Sequence, residues 1–112
     1  MANTFKLKTD SSVGTSLTSV YTVPSATTTV LIGAVLANIT ASQIKVNVQI
    51  VTAATTGENG DDVYLIKDLP IPTGSSFELI EGKVVLETGD IFKVESDTAS
   101  SLDVAVSIME QT

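Results

Sequence analysis

The chain has 112 residues, six lysines, no arginine and 13 acidic residues, for a formal charge of −7. It contains no His, Cys or Trp, which removes the usual zinc ligands, the Ser-His and Cys-His nucleophile pairs and any disulfide. The missing arginine and the negative charge speak against binding a phosphate backbone. Neither an enzymatic activity nor a cofactor is expected, and no nucleic-acid partner.

Residues 1–112 suit a single domain. Val, Ile and Thr make up 39 of the 112 residues, and β-branched side chains of this kind favour pleated strands. At the N-terminus Phe5 and Leu7 alternate with Lys6 and Lys8, without the basic segment and 7–15 apolar residues of a secretory leader. Synthesis in the cytoplasm is the expectation. The next strands are expected at Ser16–Val23 and Thr28–Asn38. The longest apolar run, Val30 to Ala37, has eight residues including Gly33, far short of the ~20 that cross a bilayer as a helix, so no membrane partner is expected.

Period-2 alternation is clearest at Ile44, Val46, Val48 and Ile50, interleaved with Lys45, Asn47 and Gln49. It predicts a strand within Gln43–Thr52. Further strands are expected at Asp62–Lys67, Ser76–Ile80, Lys83–Glu87 and Ile91–Glu95. Leu102, Val104, Val106 and Ile108 close the series, against Asp103, Ala105 and Ser107. No window carries a helical stripe. The expectation is an all-β fold, a single antiparallel β-sandwich of jelly-roll or Ig-like type with about eight or nine short strands. Ile44, Val46, Val48, Leu102, Val104 and Val106 are its expected core, and most of the five aromatics are expected there too.

The turns have chemical causes. Gly57-Glu58-Asn59-Gly60-Asp61-Asp62 tolerates positive φ and should join Gln43–Thr52 to Asp62–Lys67 as an antiparallel pair. Glu81-Gly82 and Thr88-Gly89-Asp90 read as tighter turns. Pro24, Pro70 and Pro72 cannot donate to a ladder and should mark strand ends and corners. Val23–Ile32 and Ile71–Ile80 echo each other at an offset of 48. The echo is either a pair of equivalent sandwich corners, as in two Greek keys, or a chance recurrence of Ser/Thr-rich turns.

Candidate sites are few. Glu58, Asp61 and Asp62 offer carboxylates of a kind calcium takes, but the EF-hand spacing is absent and a solvated hairpin tip is expected, with no metal. Asn38-Ile39-Thr40 is a formal glycosylation sequon, expected to be a strand end. The segment Val30–Ala37 is apolar on both faces, with Val30, Ile32, Ala34 and Leu36 on one side and Leu31, Val35 and Ala37 on the other. Strands of this kind are normally covered on both faces. One covering is a shielding loop with a bulge at Gly33; the other is a partner chain. Leu31, Val35 and Ala37 are therefore the candidate interface residues.

Three stretches carry a family resemblance. They are Val20-Tyr21-Thr22-Val23-Pro24 with Ser25–Thr29 and Ala37-Asn38-Ile39-Thr40, then Lys67–Ser76, then Val85–Val94. Together they resemble small virion structural proteins of tailed bacteriophages of marine and cyanobacterial type, over nearly the whole chain. The resemblance implies a non-enzymatic β-sandwich on the particle, as a capsid decoration or cement protein or as a neck or tail component. It implies partners among the major capsid or neck and tail proteins, while the strand with two apolar faces adds the expectation of a homo-oligomer, most simply a ring or trimer. The alternative function is a receptor- or carbohydrate-binding sandwich module, since such sites sit on end loops; the absence of Trp counts against it.

Overall fold

Alternating side chains become strands almost wherever the sequence carries them. The computed structural model describes residues 2–52, 62–79 and 83–112. Among these residues every element is a strand: β1 (Asn3–Val13), β2 (Thr18–Thr22), β3 (Thr28–Asn38), β4 (Ile44–Val51), β5 (Val63–Ile71), β6 (Ser76–Leu79), β7 (Val84–Leu86), β8 (Ile91–Ser96) and β9 (Leu102–Gln111). The segments around Gly57–Asp61 and Glu81-Gly82, where hairpin turns were expected, lie outside the described residues, as do the calcium candidates Glu58 and Asp61.

The strands form two antiparallel sheets. Sheet A runs β1-β9-β3-β6, with β7 also paired to β3, and sheet B runs β2-β8-β4-β5. The pairings nest: β1 with β9, β2 with β8, β3 with β6 and β7, β4 with β5. A long hairpin ribbon rolled over on itself pairs this way, and rolling adds the β3–β9 and β4–β8 contacts that close each sheet. This is the jelly-roll arrangement of the β-sandwich, with β6 and β7 sharing the place of one strand. The ends of the ribbon are tied, since Ala2 and Thr112 exchange two backbone hydrogen bonds of 3.1 and 3.0 Å.

The interior is filled from one face of each sheet. Leu31, Leu36, Val104, Val106 and Ile108 come from sheet A, and Ile44, Val46, Val48, Phe92 and Val94 from sheet B. All six expected core residues are buried. The aromatics are a correction: only Tyr21 and Phe92 are buried, while Phe5, Phe77 and Tyr64 are exposed. They sit on edge strands or on an outer face, where alternation survives without burial. Pro70 is the penultimate residue of β5, at a strand end as expected, and the edge position of β5 leaves one side free of ladder bonds.

The 48-residue echo has a structural counterpart. Val23 and Ile71 are both buried at the ends of sheet B strands, and both segments then cross to sheet A, where β3 and β6 are neighbours. Ala26 and Gly74, 48 residues apart, both take positive φ, 53° and 68°. The same left-handed corner is built twice.

Candidate functional site: the outer face of sheet A

The site follows from the register of β9. Its even-numbered residues from Leu102 to Glu110 point inward, so Asp103, Ala105, Ser107, Met109 and Gln111 form the outer face. Cross-strand partners share a face, which sorts the outer residues into rows. Asn3, Gln111 and Thr28 make a polar border. Below it Phe5, Met109, Val30 and Val85 form an unbroken apolar row across four strands. Leu7, Ser107 and Gly33 follow, with Ile32 beside them; then Thr9, Ala105, Val35 and Glu78; then Asp103, Ala37 and Ser76.

A bulge in β3 sets this arrangement. Register shifts between Leu31 and Gly33, so Ile32 is the extra residue and the strand changes phase at that point. Thr29 and Leu31 point inward before it, and Ala34, Leu36 and Asn38 point inward after it. Leu31 is therefore not part of the candidate interface. It is wholly buried, opposite Ile108. Val35 is 36% exposed and Ala37 half-buried on the outer face, joined there by Val30 and Ile32, which simple alternation had assigned to the other side. The phase change lets a strand that is apolar at nearly every position feed the core on both halves and still leave an apolar outer face.

Of the nine exposed large hydrophobic residues among the described residues, five lie on this face: Phe5, Leu7, Ile32, Val35 and Val85. Phe5 is 73% and Leu7 63% exposed, an arrangement with no benefit for an isolated monomer. The outer face of sheet B differs. Its in-register residues are mostly polar, Lys45, Asn47, Gln49, Lys93, Glu95, Ser19 and Thr22, with Val51, Ile91, Pro70 and the exposed Tyr64 among them. Asn47 there donates to Glu95 at 2.8 Å and accepts from the Asp68 amide at 2.7 Å. The outer face of sheet B is mostly polar, and the exposed large hydrophobic residues gather on that of sheet A.

The apolar face is not flat. Two hollows flank Val35. One of about 430 Å³ is lined by Thr9, Ser11, Ala37, Asp103 and Ala105. The other, of about 250 Å³, lies over Gly33, Ala105 and Ser107 beside Ile32 and Glu78. Small side chains cause both: a Cβ placed on Gly33 would meet nothing within 4 Å.

A polar cluster anchors β1, the strand that carries Phe5 and Leu7. Because these two point outward, Lys6 and Lys8 point toward the interior edge. Lys6 Nζ pairs with buried Glu110 at 2.8 Å. The Tyr21 hydroxyl donates to the other Glu110 oxygen at 2.5 Å and lies 2.7 Å from the Thr29 hydroxyl. Lys8 Nζ stands 5.9 Å from the centre of the Tyr21 ring. The Lys6 ammonium, then the Tyr21 hydroxyl, hold the Glu110 carboxyl below its ordinary pKa. Burial, reinforced by the neighbouring carboxylate, pushes the Tyr21 phenol up to about 12. The cluster joins β1, β2, β3 and β9 with every buried polar atom satisfied, so its chemistry is that of a clasp. Sequence reasoning passed over it, yet the signal was present: Glu110 continues the inward phase of Leu102 to Ile108.

The remaining candidates resolve structurally. Asn38 of the sequon is buried, its amide donating to the Ser42 and Ile71 carbonyls at 2.8 and 2.9 Å, while its oxygen accepts from the Thr40 amide and hydroxyl. It is a corner brace. Asp62 accepts from the Thr52 amide at 3.0 Å. Among the described residues no group of acidic side chains is assembled to hold a metal ion.

Comparison with known proteins adds the fold and little else. No family model matches the chain, and no curated protein matches it. A solved structure described under the words "Bacillus endospore appendages form a novel family of disulfide-linked pili" is similar over 99% of this chain and 87% of its own, with a TM-score of 0.53 and 13% sequence identity. At that identity the likeness is one of fold.

Proposed function

We propose that this chain is a non-enzymatic virion structural protein of a tailed bacteriophage that docks through the outer face of sheet A. The observation that carries the assembly role is the contrast between the two outer faces. One is mostly polar, with Tyr64 its exposed large hydrophobic residue among those described; the other presents Phe5, Leu7, Val30, Ile32, Val35, Val85 and Met109 inside a polar border, the anatomy of a protein interface. The virion setting rests on the sequence resemblance. It makes the chain a capsid decoration or cement protein or a neck or tail component, made in the host cytoplasm and carried on the particle, with major capsid or neck and tail proteins as neighbours. The negative charge favours solubility of the free protein. In the spore appendage a similar fold builds a pilus. These 112 residues contain no cysteine, so a disulfide-linked assembly is closed to them.

The test is Val35→Lys. The side chain is already partly in solvent, so the variant should fold with a melting temperature near that of the wild type. Purified particles analysed by mass spectrometry should contain the wild-type chain and lack the variant. A wild-type chain missing from particles would remove the virion reading. A variant that incorporates normally would remove this face as the docking surface.

A further inference from the structure

We infer that the partner on the outer face of sheet A is a second copy of the same chain, seated face to face about a two-fold axis that runs across the strands at the level of Leu7, Ser107 and Gly33. The inference rests on the docking role just proposed and names its occupant.

The argument is one of shape, charge and area. Bulk is concentrated at one end of the face, in Phe5, Met109, Val30 and Val85, while the larger hollow lies at the other, over Thr9, Ala37, Asp103 and Ala105, and the smaller one reaches the middle row at Gly33 and Ser107. A two-fold axis across the strands at the middle row lays each end on the opposite end of the partner. Phe5 then meets the partner's Thr9, Met109 meets the partner's Ala105, and Val30 meets the partner's Val35. Phe5 and Met109 thus fall on smaller side chains beside the larger hollow, which is what close packing requires. An axis along the strands would set bulk on bulk and hollow on hollow.

Charge is compatible with the same axis. The acidic side chains among the described residues of this face are Glu78 and Asp103, with Asp10 also lining the larger hollow. Crossing the strands places Asp103 against the partner's Gln111, on the polar border, and Glu78 against the partner's Val85 at the edge of the face. No acid is driven onto its own copy.

The area suffices. Four strands at ~4.8 Å spacing give a face about 19 Å wide, and the ten residues of β9 make it about 33 Å long. Two such faces bury on the order of 1,250 Å², within the range of specific protein interfaces. Each copy keeps its wet sheet B outward and free to meet other proteins.

A residue on the axis meets itself, which makes the geometry testable. The chain has no thiol, so Ser107→Cys carries a single reactive group at the axis and Thr22→Cys a single one on sheet B. A short bis-maleimide should convert most of the Ser107→Cys protein to covalent dimer and leave Thr22→Cys monomeric. Sedimentation equilibrium should show a wild-type dimer. Phe5→Ser, at a side chain 73% exposed in the single chain, should fold normally and weaken self-association at least tenfold. A wild-type monomer, or Ser107→Cys cross-linking no better than Thr22→Cys, overturns the inference. If Val35→Lys still abolishes particle incorporation in that case, the face docks a different protein and the proposed function stands. If it does not, both fall.

Discussion

Removing the Tyr21 hydroxyl tests whether the polar clasp holds β1 to the sandwich. Tyr21→Phe preserves the buried ring and deletes the donor to Glu110 at 2.5 Å and the neighbour of Thr29 at 2.7 Å. A hydrogen bond to a charged group contributes about 1.5–3 kcal/mol, and its loss leaves a buried carboxylate with Lys6 alone. A cost of about 2–3 kcal/mol follows, a fall of roughly 10 °C in melting temperature for a domain of this size. The pH dependence is more specific than the magnitude. Glu110 titrates below its ordinary value in the folded state, so the stability it adds is present above the unfolded value near 4.5 and lost as pH falls through the folded one. Tyr21 titrates near 12 rather than 10, so its contribution is whole below pH 10 and lost between 10 and about 12. The variant should lose the Tyr21 share of the alkaline decline and show a smaller acid one. Urea titrations followed by far-UV circular dichroism at pH 3, 7 and 11 measure all three. A variant with the wild-type urea midpoint at pH 7, or an unchanged alkaline decline, would refute the clasp.

Three further outcomes are expected. Val104→Ala, at a position paired with Leu36 in the core, should cost about 1–3 kcal/mol in urea denaturation through lost burial and a residual cavity. Ala26→Gly should stabilise by about 0.5–1 kcal/mol, because an L-residue at φ 53° carries strain that glycine lacks; a thermal melt at or below wild type would contradict it. Leu31→Lys should lose more than about 3 kcal/mol or fail to fold, by burying an unpaired charge, whereas Val35→Lys should not. Equal melting temperatures for those two would mean the bulge in β3 is misplaced.

The contrast between Leu31 and Val35 shows where reading the sequence reached its limit. Strict alternation found β4 and β9 and their core residues, because half-buried strands keep polar side chains on the wet face and so declare their phase. β3 declares none. With apolar residues at nearly every position its phase can change at Gly33 without leaving a polar mark, and the two sides exchange. β1 failed in the opposite sense. Its alternation was plain, but apolar side chains face outward, since the inward lysines are held by Glu110 and the Tyr21 ring. Only pairing across strands, set by residues about 100 positions away in β9, decides which face is which.

The nested pairing of the jelly roll also governs when the protein can exist at all. β9 lies between β1 and β3, and β8 between β2 and β4, so the central strand of each sheet is among the last to be synthesised. At translation rates of ~5–20 residues per second, β1 waits for its neighbour through the making of nearly the whole sequence. During that interval β1 and β3 present unpaired strand edges rich in apolar side chains, a state in which nascent chains seek one another. Because closure must bring distant segments together, it is slow for the size of the chain. Crowding of ribosomes on one message therefore becomes the hazard this topology must survive, and a chain that stops before β9 has the strands of sheet B but a sheet A split at its middle, with β1 unpaired.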